Sequence, residues 1–284
     1  MTQYDALFVD LDGVVYRGRR EVPFAVPALN AFSGRVLYVT NNASRTPETV
    51  AAQLVDFGLR AQAEDVVTSA QAAAVHLSTL VPKGSSVLVT GGEGLVTAVR
   101  AQGLRVVTDA DQADAVVQGY SPVLGWKDLA EASYAVARGV PWIASNTDMS
   151  VPTARGIAPG NGTLVAAVAS ATGIQPVVTG KPHRPIMDLA RQRCTASKPL
   201  VIGDRLDTDI AAANAAGLDS LLVLTGVNGW RDLLQLPVDQ LPTRVAPDLR
   251  VLQGHRDATT EALDGLIKGL RSGEDVSGFV RELA

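Results

Sequence analysis

Cysteine is almost absent from this chain of 284 residues, which carries one, Cys194. A single thiol excludes an intrachain disulfide and a multi-thiolate metal centre, and Cys194 reads as a small buried apolar residue. Charge is sparse and close to balanced, at 19% of residues and a net −4. Without a basic field, nucleic acid is not an expected partner. Aromatic residues make up 5%, which leaves few rings to stack a nucleobase. No apolar run approaches the length of a membrane span, so a membrane is not expected either. The start, Met1-Thr2-Gln3-Tyr4-Asp5, lacks the basic region of a secretory leader. The expected location is therefore cytoplasmic, where the sequons Asn42-Ala43-Ser44 and Asn161-Gly162-Thr163 carry no meaning. What is plentiful is hydrophobic residue, at 46%, enough for an ordered chain with one large or two modest domains.

The apolar residues fall in short runs between Ala-rich helical stretches, the alternation of βα units and a parallel sheet. Strands are expected at Ala6–Asp10, Arg35–Thr40, Ser86–Thr90, Arg105–Val107, Ala115–Gln118, Trp142–Ser145, Pro199–Ile202, Ser220–Leu224 and Arg244–Ala246. Helices are expected at Pro27–Phe32, Pro47–Phe57, Gly94–Gln102, Trp126–Arg138, Leu164–Thr172 and Asp209–Ala216, with Gly58 and Gly217 placed as stops. Leu263, Leu266, Ile267 and Leu270 have helical spacing, and Ser272–Ala284 is mixed and polar.

Chemistry concentrates where strands end. Phe8-Val9-Asp10-Leu11-Asp12-Gly13 closes an apolar run with two carboxylates, which an extended backbone would aim the same way. Side by side they repel, and a shared proton or a cation relieves that; an Asp-Gly turn with both groups solvated is the plainer alternative. Val39-Thr40-Asn41-Asn42 brings a hydroxyl and two amides to a second strand end, suited to an anion or to an Asx turn. Gly180-Lys181-Pro182-His183 fixes a lysine ahead of a proline. Val201-Ile202-Gly203-Asp204-Arg205-Leu206-Asp207-Thr208-Asp209 packs three carboxylates into six residues, which a hard cation would join, although Thr208 and Asp209 also suit a helix cap. Together the set meets the needs of phosphoryl transfer: an in-line nucleophile, positive charge for the equatorial oxygens, a bridging Mg²⁺ and an acid for the leaving oxygen.

The order Asp-x-Asp-Gly, Thr-Asn-Asn, Gly-Lys-Pro, Gly-Asp-Arg-x-x-Thr-Asp resembles the haloacid dehalogenase (HAD) superfamily. Within it the match is to the phosphatase branch holding the NagD-like, phosphoglycolate and p-nitrophenyl phosphatases. The resemblance runs from about Tyr4 to Leu252. It implies an α/β fold, a Rossmann-like parallel-sheet HAD core with an inserted α/β C2-type cap domain. It implies Asp10 as nucleophile, Asp12 as acid/base lending its backbone carbonyl to Mg²⁺, and Thr40 with the N–H groups near Asn41 and Asn42 as phosphoryl holders. Lys181 would pair with Asp10 and the phosphate, Asp204 would ligate the metal, and Asp209 would orient a metal-bound water. Gly13 turns the chain away from the site, and His183 is a candidate substrate contact. Members that cleave carbon–halogen bonds lack the second acid, so Asp12 disfavours dehalogenation.

Only 27 residues separate Asp12 from Thr40, while 140 lie between Thr40 and Lys181. One or two βα units need about 60 to 80 of those, so the surplus reads as an inserted module. The expected domains are 1–80 with 179–255 as core, 81–178 as cap, and 256–284 as a helical tail of no assigned role. Asn146-Thr147-Asp148 and Ala158-Pro159-Gly160-Asn161-Gly162-Thr163 are the cap loops expected to face the crevice. Gly160-Asn161-Gly162 is no dinucleotide fingerprint, because residue 165 is valine. Gly91-Gly92-Glu93-Gly94 reads as a tight turn. The expected activity is Mg²⁺-dependent hydrolysis of a small phosphorylated metabolite of glycerol phosphate or phosphoglycolate type, with a second copy of the chain as a candidate partner. A sugar-phosphate mutase and a non-catalytic phosphate-binding module are the alternatives.

Overall fold

The computed structural model describes residues 3–153 and 155–284; Met1 and Thr2 of the leader reading lie outside them. Packing divides the chain into two compact units. One holds the chain up to Val39, Ala51–Val66 and Pro182–Ala284; the other holds Thr40–Val50 and Val67–Lys181.

The first sheet runs through strands Ala6–Val9, Arg35–Thr40, Pro199–Gly203, Asp219–Val223 and Arg244–Ala246, with Val66–Thr68 at one edge; all of its residues but Thr40, Val67 and Thr68 belong to the first unit. Ala6–Val9 and Pro199–Gly203 are buried along their whole length, as strands covered on both faces must be. Across the sheet the order is Arg244–Ala246, Asp219–Val223, Pro199–Gly203, Ala6–Val9, Arg35–Thr40, Val66–Thr68, and the joints from the first to the fifth are parallel. Numbered along the chain, that is the doubly wound order 3-2-1-4-5-6. Its direction reverses between Ala6–Val9 and Pro199–Gly203, the kind of switch point beyond whose carboxyl ends open α/β sheets bind ligands.

The tail belongs to this unit's core. Helix Ala258–Ser272 is capped by Asp257, whose carboxylate accepts from the Thr260 N–H at 2.8 Å, and it ends at Gly273 with φ 74°. Leu263, Leu266 and Ile267 are buried with Leu222, Leu233, Leu241 and Val245, and Phe279 and Val280 of helix Ser277–Leu283 pack on the same cluster. The Phe279 ring lies where a side chain on Gly265 would stand. The segment read from sequence as a polar end is thus half of an apolar seam.

The second unit has its own parallel sheet, in the order Val177–Val178, Trp142–Ala144, Ala115–Gln118, Ser86–Thr90, Arg105–Val107. Along the chain this is 2-1-3-4-5, the other common doubly wound order. Helices Ser69–Ser78 and Glu93–Ala101 cover one face through Ala73, Leu77, Leu95 and Val99. Helices Trp126–Ala137 and Asn161–Thr172 cover the other through Ala132, Val136, Val165 and Val168. An exposed antiparallel hairpin, Ser150–Thr153 with Gly156–Pro159, precedes the last of these helices. Among the described residues no helix is long and apolar enough to cross a membrane.

Candidate active site

In the first unit, strand Ala6–Val9 stops one residue short of Asp10. Asp10 and Asp12 therefore lie on irregular backbone rather than paired on one strand face; Asp10 is half-buried and Asp12 exposed. The chain then curls back, with the Val15 and Tyr16 N–H groups donating to the Leu11 carbonyl at 2.9 and 3.1 Å. Gly13 makes this possible with φ 87°, a conformation that side chains disfavour. A side chain there would also strike the Asp204 carboxylate.

Asp204 follows the last residue of strand Pro199–Gly203 and is almost fully buried, as is Asp209. Between them the chain makes a π turn over Leu206–Ile210, in which both Asp209 and Ile210 donate N–H to the Arg205 carbonyl at 3.1 Å. Such single wide turns recur at functional sites. The expected helix Asp209–Ala216 accordingly starts as an α-helix only at Ala211. The turn swings Asp209 back over the strand end, so that its Cβ fills the place of a side chain on Gly203. Carboxylate oxygens of Asp10, Asp204 and Asp209 come within 4.8 Å of one another. Asp12 was expected to reach the metal through its backbone carbonyl, and this cluster is one of side-chain carboxylates alone.

The third carboxylate of the run, Asp207, goes elsewhere. It is exposed and pairs with Arg205 at 2.7 and 3.0 Å, and that hydrogen-bonded guanidinium holds its carboxyl below the usual range. Asp204 is held by a loop that sequence reading passed over. Val227 N–H donates to Asp204 Oδ2 at 2.7 Å, Asn228 N–H donates to the Asp204 carbonyl at 3.1 Å, and Thr225 Oγ1 donates to the Gly13 carbonyl at 2.7 Å. The carboxylate also fills the space beside Gly226. The strand-to-glycine step Leu224-Thr225-Gly226 was the available signal. Three hard oxygen donors gathered at a sheet's switch point fit a small divalent cation.

In the second unit, Thr40, Asn41 and Asn42 form a folded loop. Thr40 Oγ1 accepts from the Asn42 N–H at 3.1 Å, and Asn42 Oδ1 accepts from Ser44 N–H and Oγ at 2.9 and 2.8 Å. This is the Asx turn weighed against an anion cradle. The Asn41 amide instead reaches Lys181, accepting its N–H at 2.8 Å and donating to its carbonyl at 2.9 Å. Lys181 is buried. His183, in the first unit ahead of helix Pro185–Arg193, is exposed.

The glycine pairs in this unit turn out to serve close backbone approach. Side chains on Gly92 and Gly94 would meet the backbone of Ser44 and of Ala43 and Arg45 respectively, and side chains on Gly160 and Gly162 would meet that of Asp148 and Thr147.

Residues 7–105 match a family model described as haloacid dehalogenase-like hydrolase, and residues 178–252 match a HAD-hydrolase-like model. The chain is 49% identical over 257 residues to a D-glycerol 3-phosphate phosphatase of Mycobacterium tuberculosis, covering 90% of this chain and 72% of that one. It belongs to the haloacid dehalogenase-like hydrolases. An acid sugar phosphatase of Staphylococcus saprophyticus is 37% identical, with 88% of this chain and 96% of the relative covered. A crystal structure of a glycerol phosphate phosphatase from Mycobacterium tuberculosis in complex with magnesium superposes with a TM-score of 0.87 at 48% identity, covering 92% of this chain and 78% of that one. Among the haloacid dehalogenase-like hydrolases, this chain stands with the phosphatases.

Proposed function

We propose that this chain is a Mg²⁺-dependent phosphatase of small phosphate monoesters, with glycerol phosphate as its preferred type of substrate. The observation that carries the reading is the cluster of Asp10, Asp204 and Asp209 at the switch point of the first sheet. The substrate class rests on the relative of 49% identity. Asp10, Asp204 and Asp209 would hold the cation. Bound there, Mg²⁺ would offset the charge of a phosphate dianion and let two anions meet.

The chemistry falls to this chain's own groups. A carboxylate oxygen of Asp10 attacks phosphorus, the bond from phosphorus to the ester oxygen breaks, and Asp12 delivers a proton to the departing alkoxide. Asp12 then takes a proton from water as that water attacks the aspartyl phosphate. The bond from phosphorus to the Asp10 oxygen breaks, inorganic phosphate leaves and both carboxyl groups return to their starting states. Asp12's exposure suits a group that must trade protons with water. Lys181 and the Thr40 hydroxyl are assigned to the phosphoryl oxygens. Residues 81–178 are assigned as the cap that selects the leaving alcohol, and the substrate is a metabolite met in the cytoplasm.

Phosphate release should be measured over glycerol 3-phosphate, phosphoglycolate, sugar phosphates and nucleoside monophosphates, with Mg²⁺ and with a chelator. The expected result is metal-dependent release with the highest kcat/KM for glycerol 3-phosphate. Release from none of them, with phosphate still bound, would replace the enzyme reading by a binding module.

A further inference from the structure

Asn41 was expected at the anion site, yet its side chain points into the protein's own backbone. An amide offers one acceptor and two donors, and here the oxygen and nitrogen grip the two polar groups of a single residue, Lys181 N–H at 2.8 Å and Lys181 C=O at 2.9 Å. The second donor of the same nitrogen faces the Asp148 carboxylate at 3.2 and 3.4 Å. Asn41 is in turn held by its carbonyl, which accepts from Ser69 Oγ at 2.6 Å and Asn146 Nδ2 at 2.7 Å. Asn146 is fixed by Asn161, which donates to its carbonyl at 2.6 Å, and Gly162 N–H donates to the Asp148 carbonyl at 2.9 Å.

The residues flanking the lysine agree with this grip. Pro182 biases Lys181 toward extended backbone. Gly180 is glycine for want of space: a side chain there would strike the Ser145 carbonyl and stand 2.7 Å from Asn41 Oδ1. A lysine side chain is long and loses much rotamer freedom when ordered, so fixing its backbone is the economical way to aim its ammonium.

We propose that Asn41 is a positioning residue for Lys181, and that the loop Asn146–Asp148 sets Asn41 and so ties the lysine to the cap segment. The proposal rests on Lys181 holding phosphoryl oxygens. An error of about 1 Å in such a group can cost about 100-fold.

The test measures inorganic phosphate affinity by calorimetry with Mg²⁺, and turnover of p-nitrophenyl phosphate, in wild type, Asn41→Ala, Lys181→Met and the double variant. The expected result is that Asn41→Ala weakens phosphate binding about tenfold or more when Lys181 is present and less than about twofold in the Lys181→Met background. A purely structural role would cost the same in both backgrounds, and that result, or no loss at all, overturns the proposal. Should Asn41→Ala fail to fold by circular dichroism, Gly180→Ala replaces it; its side chain presses on the same amide, and the same dependence on Lys181 is expected. A wild type without turnover would strike the phosphatase reading, whereas an active wild type with a silent Asn41→Ala strikes the clamp alone. A Lys181→Met protein that binds phosphate as wild type does would strike the role given to the lysine.

Discussion

The molecule contains two parallel, doubly wound sheets, and each has a point where the strand order reverses. At the first sheet's reversal, beyond Val9 and Gly203, three carboxylates gather around backbone kept bare by Gly13 and Gly226. At the second, beyond Thr90 and Gln118, the corresponding glycines give access to nothing. The place of a side chain on Gly119 is hemmed by Ser145 Oγ at 2.9 Å, Leu95 at 3.2 Å and Ala43 at 3.3 Å. Both faces of that sheet are closed by apolar clusters. The same topology thus gathers three carboxylates in one place and makes a plugged joint in the other. A switch point is an opportunity, and the residues that follow the strands decide whether it becomes a site.

Removing the chain after Leu252 strips Leu263, Leu266 and Ile267 from the first unit's core. At about 1.5–3 kcal/mol for each buried side chain, the loss rivals the stability of a whole domain. The truncated protein should fail to give a cooperative thermal transition by circular dichroism, and a sharp transition near the full-length Tm would show the seam to be dispensable.

Matched glycine-to-alanine changes at the two reversals should separate chemistry from packing. Gly13→Ala forces a strained φ and drives a methyl into Asp204, so Mg²⁺ affinity and turnover should both fall, the latter by about 100-fold or more. Gly119→Ala should cost about 1–3 kcal/mol of stability through overpacking while leaving Mg²⁺ affinity at the wild-type value. Equal effects of the two on metal binding would erase the distinction between the sheets.

A smaller effect concerns Gln118, buried at the second reversal with an amide that has no hydrogen-bond partner among the described residues. Replacing it with methionine removes an unsatisfied polar group and should raise stability by about 1 kcal/mol, read as a higher Tm. A lower Tm would mean that the amide is satisfied and that this reversal has polar work of its own.

The smallest effect is on pH dependence. Hydrogen bonds from Thr260 hold the Asp257 carboxyl down to about 2, below its ordinary value. A depressed acid stabilises above its unfolded value, and that contribution disappears as pH falls through about 2. The Tm gap between wild type and Asp257→Ala should therefore persist near neutrality and close as pH approaches 2. A gap that widens in acid would contradict the capping role.

Much of this was legible in the sequence because it depends on local pattern. Buried runs such as Arg35–Thr40 and Ala115–Gln118 carry their own bounds, and the carboxylates after Val9 and Gly203 stand where a parallel sheet binds ligands. What escaped depends on partners far along the chain. The strand Val66–Thr68 and the helix Ser69–Ser78 follow a polar stretch, and their strongest local mark is the Thr68 capping box with Gln71. Asn41 reads as an anion ligand until Lys181, 140 positions away, takes its amide. The π turn at Leu206–Ile210 decides which two of three aspartates face Asp10, and helix signals alone do not reveal it. Glycines 92, 94, 160 and 162 look like turn or nucleotide signals, and only tertiary packing shows that other backbone presses on them.

Asp10, at the first reversal, carries the proposed attack on phosphorus. Phosphate release from p-nitrophenyl phosphate should be followed for wild type and Asp10→Asn, with matched circular dichroism spectra and with Mg²⁺ present or chelated. The predicted result is turnover by wild type that chelation abolishes, and a loss of at least about 1,000-fold in Asp10→Asn. A folded Asp10→Asn protein that still turns over substrate near the wild-type rate would contradict the central assignment.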